Sequence, residues 1–268
     1  MGRVAFALAA CLLACSGLTE AASRVNDARK LYNQELYELA IRAATEARQS
    51  GDAVDEASLI FARAHLERFR QTRDAHNLSE AQSALRAIDA TQLPPGAQAE
   101  FTLALGQWLF LADKFRAAAE LFDSTSTRVD NLGPAARDRV LDWWATAMDR
   151  QAQEDPAHRA ALYQRIIERM EDELRQQPGS TAAGYWLAAA ARSLGDTDRA
   201  WHAALAGYLR ARVAPDHGAA LRADLDRLVA TAVIPERARQ ITTSPTADIK
   251  PAIDAMTAEW EQMKALWN

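Results

Sequence analysis

The chain has 268 residues, with 31 Lys and Arg against 36 Asp and Glu, and a formal net charge of −5. Hydrophobic residues at 49% and charged residues at 25% are the proportions of a folded globular protein, which excludes disorder and collagen-like structure. The mild acidity excludes a nucleic-acid coat, which needs a dense positive field. With 11 Gly and 9 Pro there is little turn material for a many-stranded sheet. The abundant Ala, Leu, Arg, Gln and Glu favour helix instead, so an all-α fold is expected.

Residues 1–14 place one cation, Arg3, ahead of an apolar run from Val4 to Ala14. This is the layout of a secretory signal, and the run is too short for a permanent membrane-spanning helix. It ends in Leu12-Leu13-Ala14-Cys15, which resembles the lipobox of bacterial lipoproteins. In that family a small residue precedes a cysteine that is lipidated and becomes the new N-terminus. Leu8-Ala9-Ala10-Cys11 fits the same pattern but leaves an apolar stretch of only about six residues, under the roughly seven a signal needs. Cys15 is therefore the expected lipidation site. Cleavage by ordinary signal peptidase near Thr19-Glu20-Ala21, giving a soluble exported protein, is a second reading of this segment, and a buried N-terminal helix is a third. Ser16 after the cysteine resembles the outer-membrane sorting pattern of enteric bacteria, which implies a periplasmic protein anchored to that membrane. Both cysteines lie here, so the mature domain holds no disulfide, cysteine nucleophile or thiolate metal site.

From about Ser23 onward helical periodicity is interrupted only briefly, at Ser50-Gly51, Leu93 to Gly96, Asn131 to Pro134, Asp155-Pro156, Pro178-Gly179 and Pro215. Asp155 with Pro156 reads as an N-cap followed by proline at the first helical position, and Pro178-Gly179 as the close of the same helix. Three stretches align with one another. Small residues recur twelve positions apart across a short turn, as Ala28 and Ala40, Gly106 and Ala118, and Ala188 and Ala200. That spacing suits two antiparallel helices crossing closely. Asn77 to Leu85 reads as the second helix of a further copy, behind an enlarged turn from Arg70 to Asn77.

Gly195-Asp196 and Phe115-x-x-Ala118-x-x-x-Phe122 make the pattern similar to a degenerate tetratricopeptide repeat (TPR). The resemblance implies a right-handed α-solenoid of about four to five helix pairs over residues 23–240; an irregular helical bundle is the simpler reading. A helix from Gly218 to Val233 carries Leu221, Leu225, Leu228 and Val229 and is expected to stop at Pro235. A loop over 241–250 follows. Ile253, Met256, Trp260, Met263 and Trp267 then form the stripe of a final helix over 251–268 that caps the repeats. A partner helix or a homo-oligomer contact is the sharper role for that helix.

The chemistry-bearing residues form no catalytic signature. His65, His76, His158, His202 and His217 are isolated, and no nucleophile elbow, phosphate loop or dinucleotide fingerprint occurs. No cofactor or metal is expected. Glu168, Glu171, Asp172 and Glu173 alternate with Arg165, Arg169 and Arg175 as a solvated face would. Trp143 and Trp144 are about 100° apart on a helix, so one should be core and the other partly exposed. The TPR resemblance implies a concave face lined by the first helix of each pair, with Arg29, Tyr32, Asn33, Gln107, Phe110, Tyr185 and Arg192 pointing inward. Arg and Asn would hold a peptide backbone or carboxylate, and Tyr and Phe would supply apolar contact. The expected function is a non-catalytic envelope scaffold that binds envelope proteins or peptides. A ligand-handling accessory of a transport system is the alternative, and an enzyme with a fold-specific site, for which no motif is present, is a third class.

Overall fold

Short Gly, Asp and Pro breaks between alanine-rich segments produce a succession of helices. The computed structural model describes residues 24–51, 53–126, 133–242 and 248–267; it is 86% helix, with no strand among those residues. Cys15, Cys11 and the rest of the signal-like segment lie outside the described residues, as do residues 243–247 of the expected loop. The chain divides into two compact units at Arg128 and Val129, so the stretch 23–240 falls partly in each.

The first unit contains α1 (24–33), α2 (Tyr37–Gln49), α3 (Val54–Thr72), α4 (Ala75–Ala87), α5 (Pro95–Leu111) and α6 (Phe115–Ser126). Its core runs along α3, where Leu59, Ile60, Ala62 and Leu66 are buried together with Val25, Ala28, Ala44, Ala81, Leu85 and Ala104. The second unit contains α7 (Pro134–Glu154), α8 (Arg159–Gln176), α9 (Thr181–Ser193), α10 (Thr197–Arg210), α11 (Ala219–Leu228), α12 (Ile234–Ile241) and α13 (Lys250–Trp267). Within each unit a helix packs mainly on the next in sequence, as α3 does on α4, α5 on α6 and α9 on α10.

Three of the turns between paired helices are built alike. Glu35, Asp113 and Gly195 each take the left-handed conformation, with φ of 61°, 57° and 83°. In each, the next residue's N–H reaches back to the carbonyl five residues earlier: Leu36 to Leu31, Lys114 to Leu109, and Asp196 to Ala191. This is a Schellman closure of the first helix. The second helix starts two residues past each left-handed residue, at Tyr37, Phe115 and Thr197. Ala28, Ala40, Ala118, Ala188 and Ala200 have no solvent exposure. Gly106 occupies the sixth of these crossing positions, and a Cβ there would lie 2.7 Å from the Phe122 ring. The twelve-residue interval is thus the distance between two crossing points on either side of one recurring turn geometry.

Other expectations are corrected. The Arg70–Asn77 turn is not enlarged: α3 runs to Thr72, Arg73 is left-handed with φ 58°, and Asp74 caps α4 by accepting the His76 N–H at 3.0 Å. Asp155 and Pro156 do not start a helix. They begin a turn in which the His158 N–H bonds to the Asp155 carbonyl, and α8 starts at Arg159. Glu173 does not belong to a solvated face, since it is 3% exposed and held by Arg137 through two 2.8 Å hydrogen bonds.

Pro235 does not stop its helix either. The backbone widens into a π turn over Val229–Val233, where the Ile234 N–H bonds to the Val229 carbonyl, and the chain continues as α12. The widened turn accommodates a residue that has no N–H and whose ring would clash with the carbonyl four residues back. Helix α13 packs on α12 and is pinned to α11, where Asp226 Oδ1 accepts both Trp260 Nε1 and Lys264 Nζ at 2.7 Å. Trp260 is 1% exposed between Trp201 and Tyr208. Trp144 is buried and Trp143 half-buried.

Candidate functional site

The seven residues expected to line one groove fall in two units: Arg29, Tyr32, Asn33, Gln107 and Phe110 in the first, Tyr185 and Arg192 in the second. Most of those in the first unit are bound to their own neighbours. Arg29 donates to Glu100 at 2.9 and 3.0 Å and lies 3.7 Å from Glu56. Glu100 also accepts from Arg63, whose guanidinium stacks over Tyr32 at 4.5 Å. Gln107 is 6% exposed and reaches Glu67 at 3.4 Å. Glu67 is itself buried and held by Arg70, and burial together with this carboxylate pushes the Tyr37 phenol up to about 12. Phe110 meets Phe115 edge-on across its turn, and Asn33 is exposed. Arg29 and Gln107 therefore join α1, α3 and α5 to one another.

In the second unit Arg192 is forked onto Glu236, with contacts at 3.1, 3.0 and 2.6 Å. It ties α9 to α12. Tyr185 is different. It lines a cleft of about 620 Å³ together with Ala135, Asp138, Arg139, Asp142, Thr181, Ala182, Ala220, Leu221 and Asp224. Every lining residue belongs to α7, α9 or α11, alternate helices of the second unit.

Local sequence explains the placement. Ala135, Asp138, Arg139 and Asp142 recur at three- and four-residue steps, which puts them on one stripe of α7; Thr181 and Tyr185 do the same on α9. Asp138 is committed to structure. It accepts the Thr181 N–H at 3.1 Å and the Ala182 N–H at 3.2 Å, as well as the Ser180 and Thr181 hydroxyls, and so caps α9 from a neighbouring helix. Asp142 Oδ1 accepts Trp186 Nε1 at 2.8 Å, which fixes the carboxylate at the cleft. Asp224 is exposed and pairs only at the surface with Arg227, at 3.1 Å.

Burial raises the Tyr185 phenol above its usual range, and the carboxylates of Asp224, Asp149 and Asp142 raise it further. The cleft thus has a negative field, an aromatic wall and a small-residue floor. A second, smaller cavity of about 280 Å³ lies among Tyr208, Arg222, Asp226, Glu261 and Lys264, where Arg222 stacks over Tyr208 at 5.1 Å. Among the described residues no group of three or more His, Cys, Asp and Glu is arranged to hold a metal ion. Sequence reasoning named Tyr185 but missed Asp138, Asp142 and Asp224. The four-residue step from Asp138 to Asp142 is the signal that could have found the first two. No known family, characterised protein or solved structure matches this chain.

Proposed function

We propose that this protein is a non-catalytic adaptor of the cell envelope, exported and held at the outer membrane by lipid on Cys15. Its helix pairs follow a TPR-like, right-handed arrangement within each unit and present their first-helix face to protein partners. The observation that supports this reading is the composition of the 620 Å³ cleft, whose walls come from the alternate helices α7, α9 and α11 alone. A binding groove built from repeats is lined in this way by every other helix. The reading rests on this geometry and on the lipobox-like segment.

A photo-crosslinking residue at position 185 in the living producer cell tests the adaptor role. A discrete adduct is expected there and not from position 202 on the exposed side of α10. The same background of adducts at both positions would remove the role. Fatty-acid labelling of the wild type and of Cys15→Ala tests the anchor, and an unlabelled wild type ends that part. The second reading, a ligand-handling accessory of a transport system, draws on the cleft's size, which lies within the roughly 300–1,000 Å³ of small-molecule pockets.

A further inference from the structure

We infer that the cleft of the second unit takes an extended partner segment bearing Lys or Arg side chains, seated along Tyr185 between Asp142 and Asp224. This inference rests on the adaptor reading and names the class of partner. The lining carries three carboxylates, Asp138, Asp142 and Asp224, against the single guanidinium of Arg139. An anionic ligand would meet repulsion there, and charge complementarity selects a cationic one.

The three carboxylates are not equivalent. Asp138 is engaged by the N-terminus of α9, so its oxygens hold the wall together. Asp142 is oriented by Trp186 and stays exposed at the cleft. Asp224 has only the surface pair with Arg227, in which both side chains are more than half exposed. Such a pair contributes little stability, so an incoming cation can replace Arg227 at small cost.

Between them stands Tyr185, half-buried, whose hydroxyl has no hydrogen-bond partner among the described residues. Its ring face suits the aliphatic stem and charged head of Lys or Arg, and its hydroxyl can serve a peptide group. Among the remaining lining side chains Ala135, Ala182, Ala220 and Thr181 are small enough to let a main chain lie close, and Leu221 adds apolar surface. Neighbouring helix axes lie roughly 8–10 Å apart, so crossing α7, α9 and α11 covers about 18 Å, the reach of about six extended residues.

The test uses the purified full chain and two fluorescein-labelled octapeptides, one alternating Ala with Arg and Lys, the other alternating Ala with Glu, read by fluorescence anisotropy. The basic peptide is expected to bind with an affinity that falls as salt rises, and the acidic one not to bind. Asp142→Asn combined with Asp224→Asn, which keeps side-chain shape, should weaken binding by about tenfold. Tyr185→Ala should weaken it as well, and Asp172→Asn on α8 should leave it unchanged. Circular dichroism confirms that each variant is folded. Equal binding of both peptides, no binding of either, or full affinity in the double variant overturns the inference. So does spermidine binding that the cleft variants abolish when neither peptide binds, which would favour ligand handling. A partner crosslinked at position 185 in cells, alongside failure of the basic peptide, would retain the adaptor role and remove the basic-segment class.

Discussion

Replacing Gly106 by alanine tests the close crossing of α5 and α6, and Gly96 on the same helix provides the comparison. In a helix interior Ala is favoured over Gly by about 1 kcal/mol, and less in the first turn, where Gly96 lies. Around Gly96 an added Cβ meets nothing within 4 Å, so Gly96→Ala should stabilise by about 0.5 kcal/mol. At Gly106 the same methyl would lie 2.7, 3.0 and 3.3 Å from three carbons of the Phe122 ring. Carbon contacts are comfortable at about 3.5–4.0 Å, so the ring must retreat by nearly 1 Å. Phe122 is 1% exposed and has nowhere to go. Overpacking of this kind costs about 1–3 kcal/mol, which outweighs the helix-propensity gain. Gly106→Ala should therefore destabilise by about 1 kcal/mol, some 1.5 kcal/mol apart from Gly96→Ala. Urea denaturation of the full chain, followed by circular dichroism, reads both. Adding Phe122→Leu to Gly106→Ala should cost less than the two single losses added together, because the smaller side chain relieves the clash. If Gly106→Ala is as stable as Gly96→Ala, or the double variant is strictly additive, the helices do not cross as described.

Removing Asp138 strips the cap from α9: Asp138→Ala should destabilise the second unit by about 2 kcal/mol in urea, with Asp138→Asn recovering part of the loss. The left-handed turns predict opposite signs at equivalent positions. Glu35→Gly and Asp113→Gly should stabilise by about 0.5–1 kcal/mol in thermal melts, and Gly195→Ala should destabilise by about 1 kcal/mol despite open space around it. At Asp226 burial opposes ionisation, but hydrogen bonds from Lys264 and Trp260 outweigh it and hold the carboxyl below its ordinary value of 3.8. A depressed folded-state value contributes stability above the unfolded value and loses it as pH falls through the folded one. Melting of the wild type should thus decline more steeply than that of Asp226→Asn as pH drops below about 4, and parallel profiles would argue against this node.

Helical character, the absence of strands among the described residues and the crossing residues were legible in the sequence because each depends on local chemistry. Alanine favours helix wherever it lies, and small residues twelve apart mark a crossing whichever neighbours surround the pair. Trp260 and Met256 could be placed inside for the same reason, since a stripe at three- and four-residue steps needs an apolar partner. Tyr185, Arg29, Gln107 and Arg192 could each be placed on a helix from the sequence, but not matched to the groups they meet.

Role was decided by tertiary structure. Arg29 and Arg192 are spent on Glu100 and Glu236, which lie 71 and 44 residues away, and no local pattern announces which carboxylate a guanidinium will meet. Glu173 joined the core because Arg137 faces it across α7 and α8, although its neighbours in sequence read as a wet surface. Pro235 continued its helix because a π turn opened ahead of it, a backbone adjustment that local propensity does not foresee. The cleft exists only where α7, α9 and α11 stand side by side. Local interactions act over three or four residues and are written along the chain; burial, ion pairing and a shared cavity depend on segments far apart in sequence, and only the packed helices bring them together.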